Sequence, residues 1–115
     1  MNEEVETVDG ARLMIDRDGV QANHIQTEAI DSQQIERCVR WFRQVTIETP
    51  PAINSHWLRH VVQNQLDEKV SIGALIVAAY RCGIPIAHNP ESDRNNVTIG
   101  ISADNINEYD CGCAG

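Results

Sequence analysis

Ser71-Ile72-Gly73-Ala74-Leu75-Ile76-Val77-Ala78-Ala79-Tyr80-Arg81-Cys82-Gly83-Ile84-Pro85 is the stretch that decides the fold. Ser71 has the chemistry of a helix N-cap, and Gly83 followed by Pro85 is the punctuation of a finished helix. Between them Ile72 to Ala79 is apolar on every side. A helix with no polar face is not a surface element, so this one belongs at the centre of a domain. Gly73 is read as a small residue for close helix packing.

Outward from this helix the elements become amphipathic. Upstream, Ser55 to Leu66 predicts a second helix, capped by Asn54 or Ser55. Trp57, Leu58, Val61, Val62 and Leu66 form its expected buried face, and His56, Arg59, His60, Gln63 and Asn64 its wet one. The link Asp67-Glu68-Lys69 is short, so the two helices must pack back on each other. Downstream, Ile84 to His88 and Val97 to Ser102 read as two strands, with the polar run Asn89 to Asn96 as their exposed tip.

Further upstream, Asp31 with Gln34 has the form of a capping box. Ile35, Cys38, Val39, Phe42 and Val45 continue from it as one apolar stripe, with Trp41 on the flank. Thr49, Pro50 and Pro51 are expected to end this helix. Leu13-Met14-Ile15, the turn signal Arg17-Asp18-Gly19 and Val20 to Ile25 suggest an N-terminal hairpin. Residues 1 to 10 are read as a frayed acidic tail, 11 to 102 as one globular domain, and 103 to 115 as a polar, mobile tail. The expected fold class is therefore α+β. It has three helices, a C-terminal β-hairpin in winged-helix-like order, and a possible N-terminal hairpin.

With 115 residues the chain fits one domain. Its formal net charge is −8. Affinity for nucleic acid comes from cations on phosphates, so this balance disfavours a nucleic-acid partner. The third helix also lacks the Arg, Asn and Gln that read base edges. The nine cations comprise eight Arg and one Lys, Lys69, and Arg37, Arg40 and Arg43 fall within seven residues. A solvated helix face is the plain account of that cluster; an Arg cluster on phosphates is the alternative. No signal peptide or membrane-length apolar run is read, so a cytoplasmic protein with reduced cysteines is expected, without a membrane partner.

Two stretches carry a resemblance. Ser55-His56-Trp57-Leu58-Arg59-His60 resembles a Ser-Tyr-Gly-Leu-Lys-His pattern. Val70-Ser71-Ile72-Gly73-Ala74-Leu75-Ile76-Val77-Ala78-Ala79 resembles Val-Ser-Asn-Gly-Ala-Phe-Ile-x-Ala-Ala. The two patterns occur together in short proteins of phages, plasmids and integrated elements that carry no established activity. The closing strand, Asn96 to Ser102, is similar as well, so the resemblance spans roughly residues 50 to 102. Ser55, Leu58, Arg59 (for Lys), His60, Ser71 and Gly73 match. His56 and Trp57 stand in place of Tyr and Gly, Gln63 where Glu is frequent, and Ile72 in place of Asn. The resemblance implies a mobile-element setting.

His56 and His60, four apart, could share a metal ion. A zinc protease would place Glu beside the first His, where this chain has Trp57, and a third ligand is wanting; His88 and Asp67 are the nearest guesses. Cys111-Gly112-Cys113 lies at the very end, without a frame, and Cys38 and Cys82 read as core residues. No metal or cofactor is expected. No nucleophile elbow, phosphate loop or triad is visible, so the expectation is a non-enzymatic accessory domain that binds another protein. Arg37, Arg40, Trp41, Arg59 and His60 form its candidate patch, since Trp and Arg anchor interfaces most often. A small enzyme using His60 as its acid–base group is the further alternative. The sequence does not fix the oligomeric state.

Overall fold

The central helix lies where its composition requires. In the computed structural model, which describes residues 3–20, 29–89, 91 and 93–102, it spans Ile72–Arg81, and Gly73 through Ala79 are all buried. Ser71 caps it through a side-chain oxygen that accepts from the Ala74 N–H at 3.1 Å. Gly83, at φ 75°, turns the chain out of the helix, and the Ile84 N–H returns to the Ala79 carbonyl.

Three strands precede the helices: β1 (Glu3–Glu6), β2 (Arg12–Asp16) and β3 (Gly19–Val20). They form one antiparallel sheet in that order, with Glu3 opposite Ile15 and Glu6 opposite Arg12. The hairpin at Arg17-Asp18 is present, pairing Ile15 with Val20. The remainder of its expected second strand, residues 21 to 25, lies outside the described residues. The acidic start is not a tail over residues 3–6. Val5 and Thr7 are buried while Glu4 and Glu6 face out, an alternation of period two carried by a single apolar residue.

The helices follow as α1 (Ser32–Phe42), α2 (Ser55–Leu66) and α3 (Ile72–Arg81), with β4 (Ile53–Asn54) between the first two. Asp31 caps α1 by accepting from the Gln33 N–H, and Asn54 caps α2 by accepting from the His56 N–H. α1 stops at Phe42, earlier than the prolines suggest. Strand pairing explains this: Ile47 bridges Ile101, and Ile53–Asn54 pairs with the last strand, so the chain must be extended before Pro50. Val45 is held half-buried by a tight turn in which its N–H donates to the Phe42 carbonyl. Two strands close the domain, β5 (Ile86–Ala87) and β6 (Thr98–Ile99), and the second sheet runs β4-β6-β5. Over the described residues the result is a small α+β domain with three helices and two small antiparallel sheets.

α3 touches α1, α2 and all three strands of the N-terminal sheet. The sheet approaches closely at Gly73, whose N–H donates to the Arg17 carbonyl at 3.1 Å. A Cβ there would lie 1.9 Å from the Asp16 carbonyl oxygen. The small residue read as a helix-packing site therefore seats a strand turn. Ser55 has a comparable duty at the other sheet. Its buried hydroxyl donates to Asn96 Oδ1 and accepts from the Val97 N–H, both at 2.9 Å.

Cys38 and Cys82 sit in the helix layer, the first fully buried and the second partly. Burial pushes the Cys38 thiol from 9.0 up to about 12, with the Arg37 charge opposing. In the unfolded chain the thiol ionises near its ordinary value, so from pH 9 to 12 the unfolded state sheds a proton that the folded state keeps. Stability from this group is complete below 9 and is lost as pH rises through that window, by about 1.4 kcal/mol per unit. Urea titrations across this range should show a steeper decline for the native chain than for Cys38→Ala. Parallel declines would contradict it.

Candidate functional site

The link between α2 and α3 is pinned from both sides by glutamines. Gln34 on α1 does not close a capping box; its Oε1 accepts instead from the Ser71 N–H at 2.9 Å. Gln63 on α2 accepts likewise from the Val70 N–H at 2.9 Å. Asp67 ends α2 in the left-handed region, at φ 54°. Glu68 reaches back to Arg37, with 2.8 Å between Nε and Oε2. Trp41 Nε1 donates to Gln65 Oε1. One edge of α1, Gln34 to Trp41, is thus fastened to the end of α2 and the link beyond it.

This arrangement divides the five residues of the expected patch. Arg40 and Trp41 come together with Gln44, Gln65 and Leu66 around a groove of about 520 Å³. Trp41 is more buried than its flank position suggests, at 6% exposure, and packs edge-on against Phe42. Gln65 has spent its oxygen on the indole, and its Nε2 is buried without a hydrogen-bond partner among the described residues. Arg37 is held by Glu68. Arg59 faces a different cleft, with Arg17, Gln63 and Lys69. His60 is exposed and meets His56 edge to face, ring centroids 5.0 Å apart. Arg43 lines a third groove with Arg40 and Arg81, where Arg81 also bonds Glu3.

Trp57, read on the buried face of α2 but near the edge of its stripe, is 41% exposed. Ser55, Leu58 and Val62 already fill the inner face of α2, and one residue of helix is a rotation of about 100°. That step carries Trp57 past the edge of the stripe onto the ridge of His56 and His60. Among the described residues no three His, Cys, Asp or Glu side chains cluster to hold a metal ion. Cys111 and Cys113 lie outside the described residues. Gln44, Gln65 and Lys69 carried no motif and Arg17 only a turn signal; for the glutamines the only sequence signal is a polar side chain at the edge of an apolar stripe.

No family model matches the chain, and no curated protein or solved structure matches it either. Among the described residues no helix is long and apolar enough to cross a membrane.

Proposed function

We propose that this is a non-enzymatic interaction domain that binds another protein through the groove between the ends of α1 and α2. The observation that carries the reading is Gln65 Nε2. A buried N–H without an acceptor costs about 1–3 kcal/mol, and Gln65, which carries this one, lines a groove with Trp41, Leu66 and Arg40. A partner backbone carbonyl that enters the groove and draws the Gln65 amide outward would supply the acceptor, and Arg40, exposed at the groove, is a residue type that anchors such contacts. The formal charge of −8 favours a basic partner at long range, through faster encounter and rejection of acidic competitors. The likeness of residues 50 to 102 to mobile-element proteins supports an accessory role in such an element.

The order α1, β4, α2, α3, β5, β6, with β4 beside β6, supports a winged-helix-like reading of the domain. In helix-turn-helix proteins the second helix of the pair enters the major groove. Here that helix is α3, and its residues Gly73 to Ala79 are buried, packed against α1, α2 and the N-terminal sheet. The surface that would read DNA is covered, which favours the protein partner over the nucleic acid.

The test is recovery of partners from the native host with wild type, Arg40→Ala/Gln44→Ala and the surface control Arg12→Ala. The groove variant should lose at least about tenfold in affinity, the level of a modest hot spot, and the control nothing. Equal recovery by all three removes the groove from the reading. Salt-sensitive binding of duplex DNA by the pure protein would replace the protein partner with the nucleic acid.

A further inference from the structure

A second cleft, of about 440 Å³, opens where α2, the start of α3 and the β2–β3 turn meet. Its charged lining is Arg17, Arg59, Lys69 and Asp18, so a cationic patch stands in a chain of formal charge −8. Arg17 lies 3.8 Å from the Asp18 carboxylate, and those two charges offset each other. Arg59 and Lys69 have no carboxylate partner among the described residues. Packing two like charges into one cleft is a cost that the fold does not need. Arg59 deepens it, because its Nε is shut off from solvent with no hydrogen-bond partner among the described residues.

The neutral polar groups of the cleft have the same sense. Gln34 and Gln63 have committed their oxygens to the Ser71 and Val70 N–H groups, so what each has left to offer is an NH2 donor. The start of α3 adds nothing of its own. The Gly73 N–H is taken by the Arg17 carbonyl and the Ala74 N–H by Ser71 Oγ. The attraction comes from side chains on three separate elements.

We propose that this cleft binds a small phosphate-class dianion, with Arg59 and Lys69 as the charged ligands and the Gln34 and Gln63 amides as further donors. A dianion neutralises the two cations that have no carboxylate partner among the described residues, and in doing so offsets the cost of holding the Arg59 charge partly buried. The site is independent of the groove at Trp41, so either can fail without the other. A phosphate monoester gains its second charge near a pKa of about 6, so affinity for glycerol phosphate rises from pH 5 to pH 7.

The experiment is calorimetric titration of the full chain at low salt with inorganic phosphate, glycerol phosphate and dimethyl phosphate. The first two should saturate one site with a Kd of about 1 mM or tighter, and the singly charged diester should bind far more weakly. Lys69→Gln, at an exposed position, and Arg59→Gln should each weaken phosphate by about tenfold, while Arg12→Gln, the same charge change elsewhere, should not. Absence of saturable binding by the native chain up to about 10 mM phosphate overturns the proposal. So does an Arg12→Gln loss equal to that of Lys69→Gln, which would mark general charge attraction. Diester binding as tight as phosphate would assign the cleft to nucleic-acid backbone and overturn it too.

Discussion

Leu75→Ala lowers the unfolding free energy by about 2–5 kcal/mol, the range for cutting a leucine back to its Cβ in a packed core. Leu75 has no exposed surface, and neither have its neighbours Ile76 and Ala79. They lie in one cluster with Phe42 from α1 and Leu58 and Val62 from α2. A truncation there leaves a void that three helices and a sheet would have to close together, and α3 is held at both ends, by Ser71 and by the Gly83 turn. Relaxation is therefore small, and the cost should fall high in the range. Urea denaturation by far-ultraviolet circular dichroism measures it. A midpoint unchanged from wild type would remove α3 from the centre of the domain.

Gly73→Ala tests the same helix from its other neighbour, and its sign is diagnostic. On an exposed helix, replacing Gly by Ala gains about 1 kcal/mol. Here the added Cβ would stand 1.9 Å from the Asp16 carbonyl oxygen and 2.8 Å from its carbon. Both are main-chain atoms, so no rotamer change relieves the overlap. The β2–β3 turn must move off α3, and the bond from the Gly73 N–H to the Arg17 carbonyl goes with it. A net destabilisation of about 1–3 kcal/mol follows, as for overpacking in a tight interior. A rise in the urea midpoint would show that the sheet does not seat where the structure puts it.

The parts of this fold that were legible were those whose signal is local. Ser71, Gly83 and the apolar run between them give α3 to within a residue, and Asn54 and Asp31 mark the starts of α2 and α1. What was not legible depends on partners far away in sequence. Glu3–Glu6 becomes a strand because Arg12–Asp16 offers it a ladder. Ile53–Asn54 becomes one because Thr98–Ile99 does, and the same demand cuts α1 short at Phe42. The candidate site follows the same division. Arg40 and Trp41 are neighbours in sequence and stay together, whereas Arg37, Arg59 and His60 point to different places once α1 and α2 are docked. Gln65 and Lys69 gain interest only from what surrounds them, the one through an orphaned amide and the other through the company of Arg59.

The N-terminal sheet also bears on the order in which the chain can assemble. Its fastenings to the rest are distant: Arg81 to Glu3 spans 78 positions, and Asn95 Nδ2 to the Asp18 carbonyl spans 77. The pinning of the α2–α3 link uses near neighbours instead, with Gln63 only seven positions from Val70. Closing a loop costs entropy that grows with the logarithm of its length, and such remote contacts slow folding relative to local ones. During synthesis these strands leave the ribosome before the helices, yet their seat on α3 exists only after residue 81 has followed. Until then the ladder of β1 and β2 has no helix to cover, and α3, once made, waits with its apolar side bare for strands made earlier to come back.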